Sequence, residues 1–313
     1  MHEINIWYWF IFLAFVVMML ALDLGVFHKK HHEIKIKEAL LWSAFWIGLA
    51  LLFNVWIYYW FDKGKALEFF TAYLLEKSLS VDNLFVFLLI FGYFKIQAEE
   101  QHRILFWGIL GALIMRAIFI FAGIALIHQF AWIMYVFGAF LVYTGIHMLF
   151  EKDEEKPFEP NKNIVIRVFR KIMPVTDDMS KAKFFIQKDK KWHATPFFIA
   201  LLLLEVSDLI FAVDSIPAVL SVSQDTFIVF TSNIFAILGL RSLYFALSGI
   251  MGYFRYLKYG LAGILSFIGV KMCWNEFASE LGYAFKISNY VSLAVIAVLL
   301  TVSILLSVLV KKK

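Results

Sequence analysis

Nine stretches of the chain stay apolar for about the 20 residues that a bilayer-spanning helix requires, near 7–27, 38–61, 67–93, 102–126, 131–150, 195–221, 226–248, 256–274 and 288–310. The pattern predicts an all-α fold, a polytopic transmembrane helix bundle of about nine helices. Only a short turn, Gly249 to Arg255, parts the seventh from the eighth. One extended polar region interrupts the series. Residues 151–194 alternate in charge and hold Pro157, Pro160 and Pro174, three of the five prolines. With too little apolar content for a core of their own, they read as a solvated linker joining two halves, or else as a regulatory arm.

The sixth stretch breaks the apolar pattern at Glu205, Asp208 and Asp214. A carboxylate at bilayer depth costs about 2.5 to 3.5 kcal/mol on insertion scales, so three of them require a wet cavity, a cation or partner charges. Glu205 and Asp208 share a helix face, whereas Asp214 lies roughly 240° further round an unbroken helix. Pro217 offers a kink that would free the Val213 carbonyl, and irregular backbone at this depth is tolerated where it lines a cavity. Neutralisation by internal salt bridges is the other reading. Arg116 and Arg241 are also mid-stretch and must be paired, either with these acids, as charge balance for a departing ion, or with loop carbonyls. Lys77, Lys271 and His147 read as side chains snorkelling to an interface.

The acidic stretch has a counterpart earlier in the chain. Glu76 to Leu84 lines up with Asp208 to Ile216, Met115-Arg116 with Leu240-Arg241, and Gly145 to Met148 with Gly269 to Met272. Each unit holds three helices, and an odd number turns the second copy over in the bilayer. The matches therefore predict two inverted three-helix repeats with a substrate site at the midplane between them. The chain then divides into two N-terminal transmembrane helices (1–66), a first repeat (67–150), the linker (151–194), a second repeat (195–274) and a C-terminal transmembrane helix (275–313).

Composition narrows the classes. The chain of 313 residues is 62% hydrophobic, and its mean hydropathy of +0.78 lies far from that of soluble domains. The net charge of +5 follows the loops, so the membrane explains it and nucleic acid is not an expected partner. Cys273, the one cysteine, excludes an internal disulfide and a thiolate metal cluster. The methionines are scattered, as packing residues are, and His28, His31 and His32 read as interfacial polarity. Lys29, Lys30, Lys35 and Lys37, the basic 151–194 region and the terminal Lys311 to Lys313 fall on one side of a nine-helix bundle. That side is expected to be the cytoplasm, with the N-terminus outside a cell inner (plasma) membrane and the first span retained. No zinc-hydrolase or serine-nucleophile motif is present, so an enzyme is not expected.

Two motifs carry a specific resemblance. Glu76-Lys77-Ser78-Leu79-Ser80-Val81-Asp82-Asn83, together with the run from Glu205-Val206-Ser207-Asp208 through Val213-Asp214-Ser215-Ile216-Pro217-Ala218, resembles the TerC family, including its Alx-type manganese exporters. Leu22-Asp23-Leu24 and Ala194-Thr195-Pro196 are similar to that family's pattern as well, and the resemblance covers nearly the whole chain. It implies an integral membrane protein of metal-ion homeostasis, linked in some members with tellurite resistance, whose metal site uses the acidic positions of both motifs. The donors suit that chemistry: carboxylates, the Asn83 amide, serine hydroxyls and freed carbonyls are hard oxygen ligands for manganese, magnesium or calcium. Asp82 and Asp214 are expected to ligate from the two copies, Asn83, Glu76 and Asp208 to complete the shell, and Glu205 to carry a counter-transported proton. The expected function is export of divalent cations, foremost manganese(II), by proton-coupled alternating access. The alternative is a membrane-protein assembly or tellurite-resistance-associated factor without transport activity. The expected partners are the ion and membrane lipid, with no permanently bound cofactor and a homo-oligomer left open.

Overall fold

The computed structural model describes residues 5–27, 36–130, 132–150, 164–176, 183–188, 190–248, 256–283 and 285–309. In chain order its elements are α1 (Ile6–Phe27), α2 (Ile36–Trp60), α3 (Lys63–Phe94), α4 (Ala98–Gln129), α5 (Ile133–Phe150), α6 (Ile164–Ile172), β1 (Phe185–Lys188), β2 (Lys191–Ala194), α7 (Pro196–Leu220), α8 (Thr226–Leu238), α9 (Leu240–Ser248), α10 (Leu257–Glu280) and α11 (Asn289–Leu309). Every predicted apolar stretch is helical, so the all-α bundle holds. Seven of the helices described, α8 and α9 together counting as one, are long and apolar enough to cross a membrane. The histidines at 28, 31 and 32 and the turn 249–255 lie outside the described residues.

Three features depart from the expectation. The seventh stretch is two helices, because α8 stops at Gly239, whose N–H turns back to the Ile237 carbonyl. The sixth is one helix: α7 runs through Pro217 to Leu220, and the Ser221 N–H bonds the Pro217 carbonyl at 3.0 Å. Finally, the 151–194 region is more than a linker, since it contains α6 and an antiparallel hairpin pairing Phe185 with Ala194 and Lys188 with Lys191. Its few apolar residues suffice because they pack on α7 instead of on one another. Phe169 and Phe185 lie 5.2 Å and 4.5 Å from the Phe198 ring.

Helix α8 is enclosed by its neighbours, with every residue from Phe227 to Leu238 buried. Its N-terminus is fixed by Asp225, which accepts from the Phe227 and Ile228 N–H groups at 3.0 and 3.3 Å and pairs with Lys65 near the start of α3. The same end of the bundle is closed by Ser223 donating to Glu68 at 2.6 Å and by Asn289, which joins Lys271 to the Val222 carbonyl. Lys271 is thus buried and bonded there, and does not snorkel. Elsewhere α5 and α10 cross with their backbones in contact at glycines, as small residues allow in membranes. A Cβ on Gly145 would meet the Ala262 carbonyl at 2.7 Å and the Ser266 nitrogen at 2.8 Å. One on Gly269 would meet the Gly138 carbonyl at 2.5 Å and the Val142 nitrogen at 2.8 Å. Because low numbers on α5 meet high numbers on α10, the two helices run antiparallel.

Candidate functional site

Helical phase decides which acids meet. Glu76, Ser80 and Asn83 recur at i, i+4 and i+7 on α3, and Asp208, Ala212 and Ser215 repeat that spacing on α7, so each set forms one stripe. All six are buried. Asp208 is the middle residue of α7, which sets the stripes near mid-membrane depth.

Arg116 of α4 lies between the stripes. Its Nη2 and Nε donate to the two Asp208 carboxylate oxygens at 3.1 and 3.4 Å, a bidentate grip. Its Nη1 forms an ion pair with Glu76 and donates to the Asn233 amide oxygen at 3.3 Å. Asn83 donates to Asp208 at 3.0 Å. Arg116, Glu76 and Asp208 are 2%, 0% and 3% exposed, so this is an ion cluster removed from solvent. Such a cluster stands only when each charge is matched, because the desolvation of two ions rivals their attraction. Its formal charge is nevertheless negative, two carboxylates against one guanidinium. Oxygen atoms are also left over: Glu76 Oε2 and Asn83 Oδ1, which only accept, and Ser80 Oγ and Ser215 Oγ, which can accept or donate, are buried without a hydrogen-bond partner among the described residues. A group that supplies positive charge and accepts hard oxygen ligands would complete this set.

The expected site residues therefore separate. Glu76, Asn83, Asp208 and Arg116 come together. Glu205, one turn before Asp208, turns its carboxylate against α4 at Gly111, where an added Cβ would collide with it. Asp214 faces α5 and accepts from Thr144 at 3.2 Å. Asp82 is half-buried and off the Glu76 stripe by its six-residue spacing. Arg241 is buried at the start of α9. Among the described residues no three His, Cys, Asp or Glu side chains are grouped to hold a metal ion. The continuous helix through Pro217 contributes to this, since it leaves Asp208 and Asp214 on different faces.

Two participants escaped the sequence reading. Asn233 is the amide in the largely apolar α8, and the polar run Thr231-Ser232-Asn233 inside that stretch was the available signal. Lys77, read as snorkelling, instead points inward and donates to the Ala236 carbonyl at 3.1 Å, at the C-terminal end of α8. A Cβ on Gly239 would lie 2.9 Å from the Lys77 Nζ. A cation there complements the carbonyls exposed by the helix break.

Comparison with known proteins gives the family of the chain. The integral membrane protein TerC family model matches residues 61–313, a span holding both acidic motifs and every residue of the ion cluster. The chain belongs to the TerC family. An uncharacterized membrane protein of Myxococcus xanthus, STKORF319, is 50% identical over 301 residues, covering 96% of this chain and 92% of its own length. Proteins named Alx, provisionally described as membrane-bound redox modulators, are 44% identical in Salmonella typhi and 45% identical in Escherichia coli K12. They cover 96% and 89% of this chain, and 93% and 91% of their own lengths. No solved structure matches. As a TerC family member with seven membrane-length apolar helices, the chain is an integral multi-pass membrane protein.

Proposed function

We propose that this protein exports divalent metal cations, foremost manganese(II), and that the ion passes between the α3 and α7 stripes. The observation that carries the reading is the buried Glu76–Arg116–Asp208 cluster, with net negative formal charge and unpartnered hard oxygen atoms beside it. Arg116 occupies the place of a cation between two carboxylates. In the proposed cycle a dication takes that place as the guanidinium withdraws toward Asn233, with Glu76, Asp208 and Asn83 as ligands and Ser80 and Ser215 adding hydroxyls. Asp82 and Asp214 then serve the approach to the site. Glu205 lies beside the cluster and outside it, which suits a carrier of the exchanged proton: Glu76, Asp82, Glu205, Asp208 and Asp214 outnumber what one dication and two arginines neutralise.

The two three-helix groups are proposed as inverted copies that rock about this site. The reciprocal contacts of α5 and α10 support this. Gly145 with Ala262 and Ser266 maps onto Gly269 with Gly138 and Val142 at one constant sequence offset, and two antiparallel helices that exchange contacts in this way are related by an axis in the membrane plane. The redox role in the names of the relatives does not extend here to dithiol chemistry, because the chain has one cysteine. The proposed setting is the cell inner membrane with the C-terminus in the cytoplasm. Manganese uptake into everted vesicles tests the function. Uptake driven by a proton gradient, acid inside the everted vesicle, and lost in Asp208→Asn is expected; uptake equal in vesicles without the protein would refute export.

A further inference from the structure

Helix α6 presents two unlike faces. Inward, Ile166 is 2% exposed and Phe169 rests on Phe198, in the first turn of the membrane-crossing α7. Outward, Ile164, Val168 and Ile172 are 65%, 51% and 78% exposed. At 100° per residue these three fall within about 80° of one another, a continuous apolar stripe. Trp192 on the adjoining hairpin is 57% exposed. Around these apolar groups stand Arg167, Arg170 and Lys171 of α6 and Lys188, Lys190 and Lys191 of the hairpin, all exposed; neither α6 nor the two strands contain an acidic residue, and the sequence between the strands adds one, Asp189, against these six cations. The unit is held firmly at this height. Thr195 Oγ1 donates to the Phe184 carbonyl at 3.1 Å, the Thr176 and Ala194 N–H groups bond the Ala194 and Pro174 carbonyls at 2.9 Å, and the Arg103 guanidinium lies 5.1 Å above the Phe184 ring.

We propose that α6 and the β1–β2 hairpin are an interfacial anchor that binds anionic lipid headgroups of the membrane the protein spans. The contact to Phe198 sets α6 at the level where a spanning helix leaves the hydrocarbon. An apolar stripe beside a tryptophan and a basic rim at that level fits acyl chains below and phosphates above. A water-exposed linker has no use for three large aliphatic side chains on its outer face. The anchor ties the lipid surface to the start of α7, two turns before Glu205, whatever ion the central site takes.

The test uses the full chain with Cys273→Ser and Val168→Cys, labelled with a fluorophore and reconstituted into phosphatidylcholine vesicles with or without phosphatidylglycerol. Lipids brominated in the acyl chain are expected to quench the label several-fold more than aqueous iodide does, and phosphatidylglycerol is expected to strengthen that quenching. The variant Arg167→Gln/Arg170→Gln/Lys171→Gln should lose the response to phosphatidylglycerol. A label quenched by iodide and untouched by brominated lipid would overturn the anchor and mark the stripe as a protein-docking face. Tail quenching indifferent to phosphatidylglycerol would overturn the anionic preference. Because position 168 is exposed, labelling leaves the packing of Ile166 and Phe169 intact.

Discussion

Arg116 and Arg241 align with each other in the proposed repeat, yet their surroundings differ. Arg116 lies inside the unbroken, 32-residue α4 and grips Asp208 while pairing with Glu76. Arg241 is the second residue of the 9-residue α9, immediately after the break at Gly239. At the break Lys77 donates to the Ala236 carbonyl, so its amine faces the carbonyls that the end of α8 leaves without helical partners. One group thus holds its buried arginine inside an unbroken helix, and the other places its buried arginine just after a helix break. If the two groups began as copies, the division of labour arose by interrupting one helix and leaving the other whole.

The unbroken side should be the more sensitive. Arg116→Met leaves Glu76 and Asp208 buried without their guanidinium, at a cost of about 3–5 kcal/mol. Thermal unfolding in detergent, with membrane abundance as a second readout, should register the loss. Adding Asp208→Asn to the same chain should recover part of it by removing one stranded charge. Arg116→Met with wild-type melting would mean that the cluster is hydrated and its charges are separately stable.

The α5–α10 crossing tests the likeness of the halves rather than their difference. Gly145→Ala and Gly269→Ala each push a methyl group into the partner backbone, and each is expected to cost about 1–3 kcal/mol by unfolding measurements. The reciprocity of their contacts predicts similar values. A large loss from one and none from the other would break the comparison. The smallest stability effect is expected at the break itself. Gly239→Ala should leave folding nearly intact, because the nearest obstacle at 2.9 Å is the flexible end of Lys77 and the next, the Trp46 Cβ at 3.1 Å, need give way by only a few tenths of an ångström. Vesicle transport should nevertheless slow several-fold if the break moves, and unchanged transport would make it a static feature.

The bundle was legible in the chain because bilayer thickness imposes a length on each apolar stretch; α3, which carries Glu76 and Lys77, is helical as expected but is not among the seven described helices that are long and apolar enough to span. The break in α8 left no comparable trace: a single glycine in an apolar run is ordinary, and only tertiary contacts from Lys77 and Trp46 distinguish this one. Half of the site was readable for a related reason. Charges at Glu76, Asp208 and Arg116 are too costly in a membrane to be incidental, so residue type alone pointed to them. Which charges converge depends on helical phase, and the expected kink at Pro217 would have rotated Asp214 toward Asp208. The unbroken α7 instead gives Asp214 to Thr144. Asn233 was hidden because a neutral amide carries no penalty large enough to stand out. In α6 and the hairpin the apolar residues are few, and their role depends on packing against Phe198 in the first turn of α7, a contact that the apolar pattern alone does not reveal.

Central to the proposed export is a dication bound between Glu76 and Asp208. Manganese(II) binding to the purified protein, followed by the electron paramagnetic resonance signal of the free ion, tests it most directly. Wild-type protein and Asp225→Asn, altered at the far end of α8 with its helix cap preserved, should take up manganese alike. Glu76→Gln and Asp208→Asn should each weaken binding by tenfold or more while the proteins remain folded. Undiminished binding in both folded variants would contradict the assignment of the ion to this cluster.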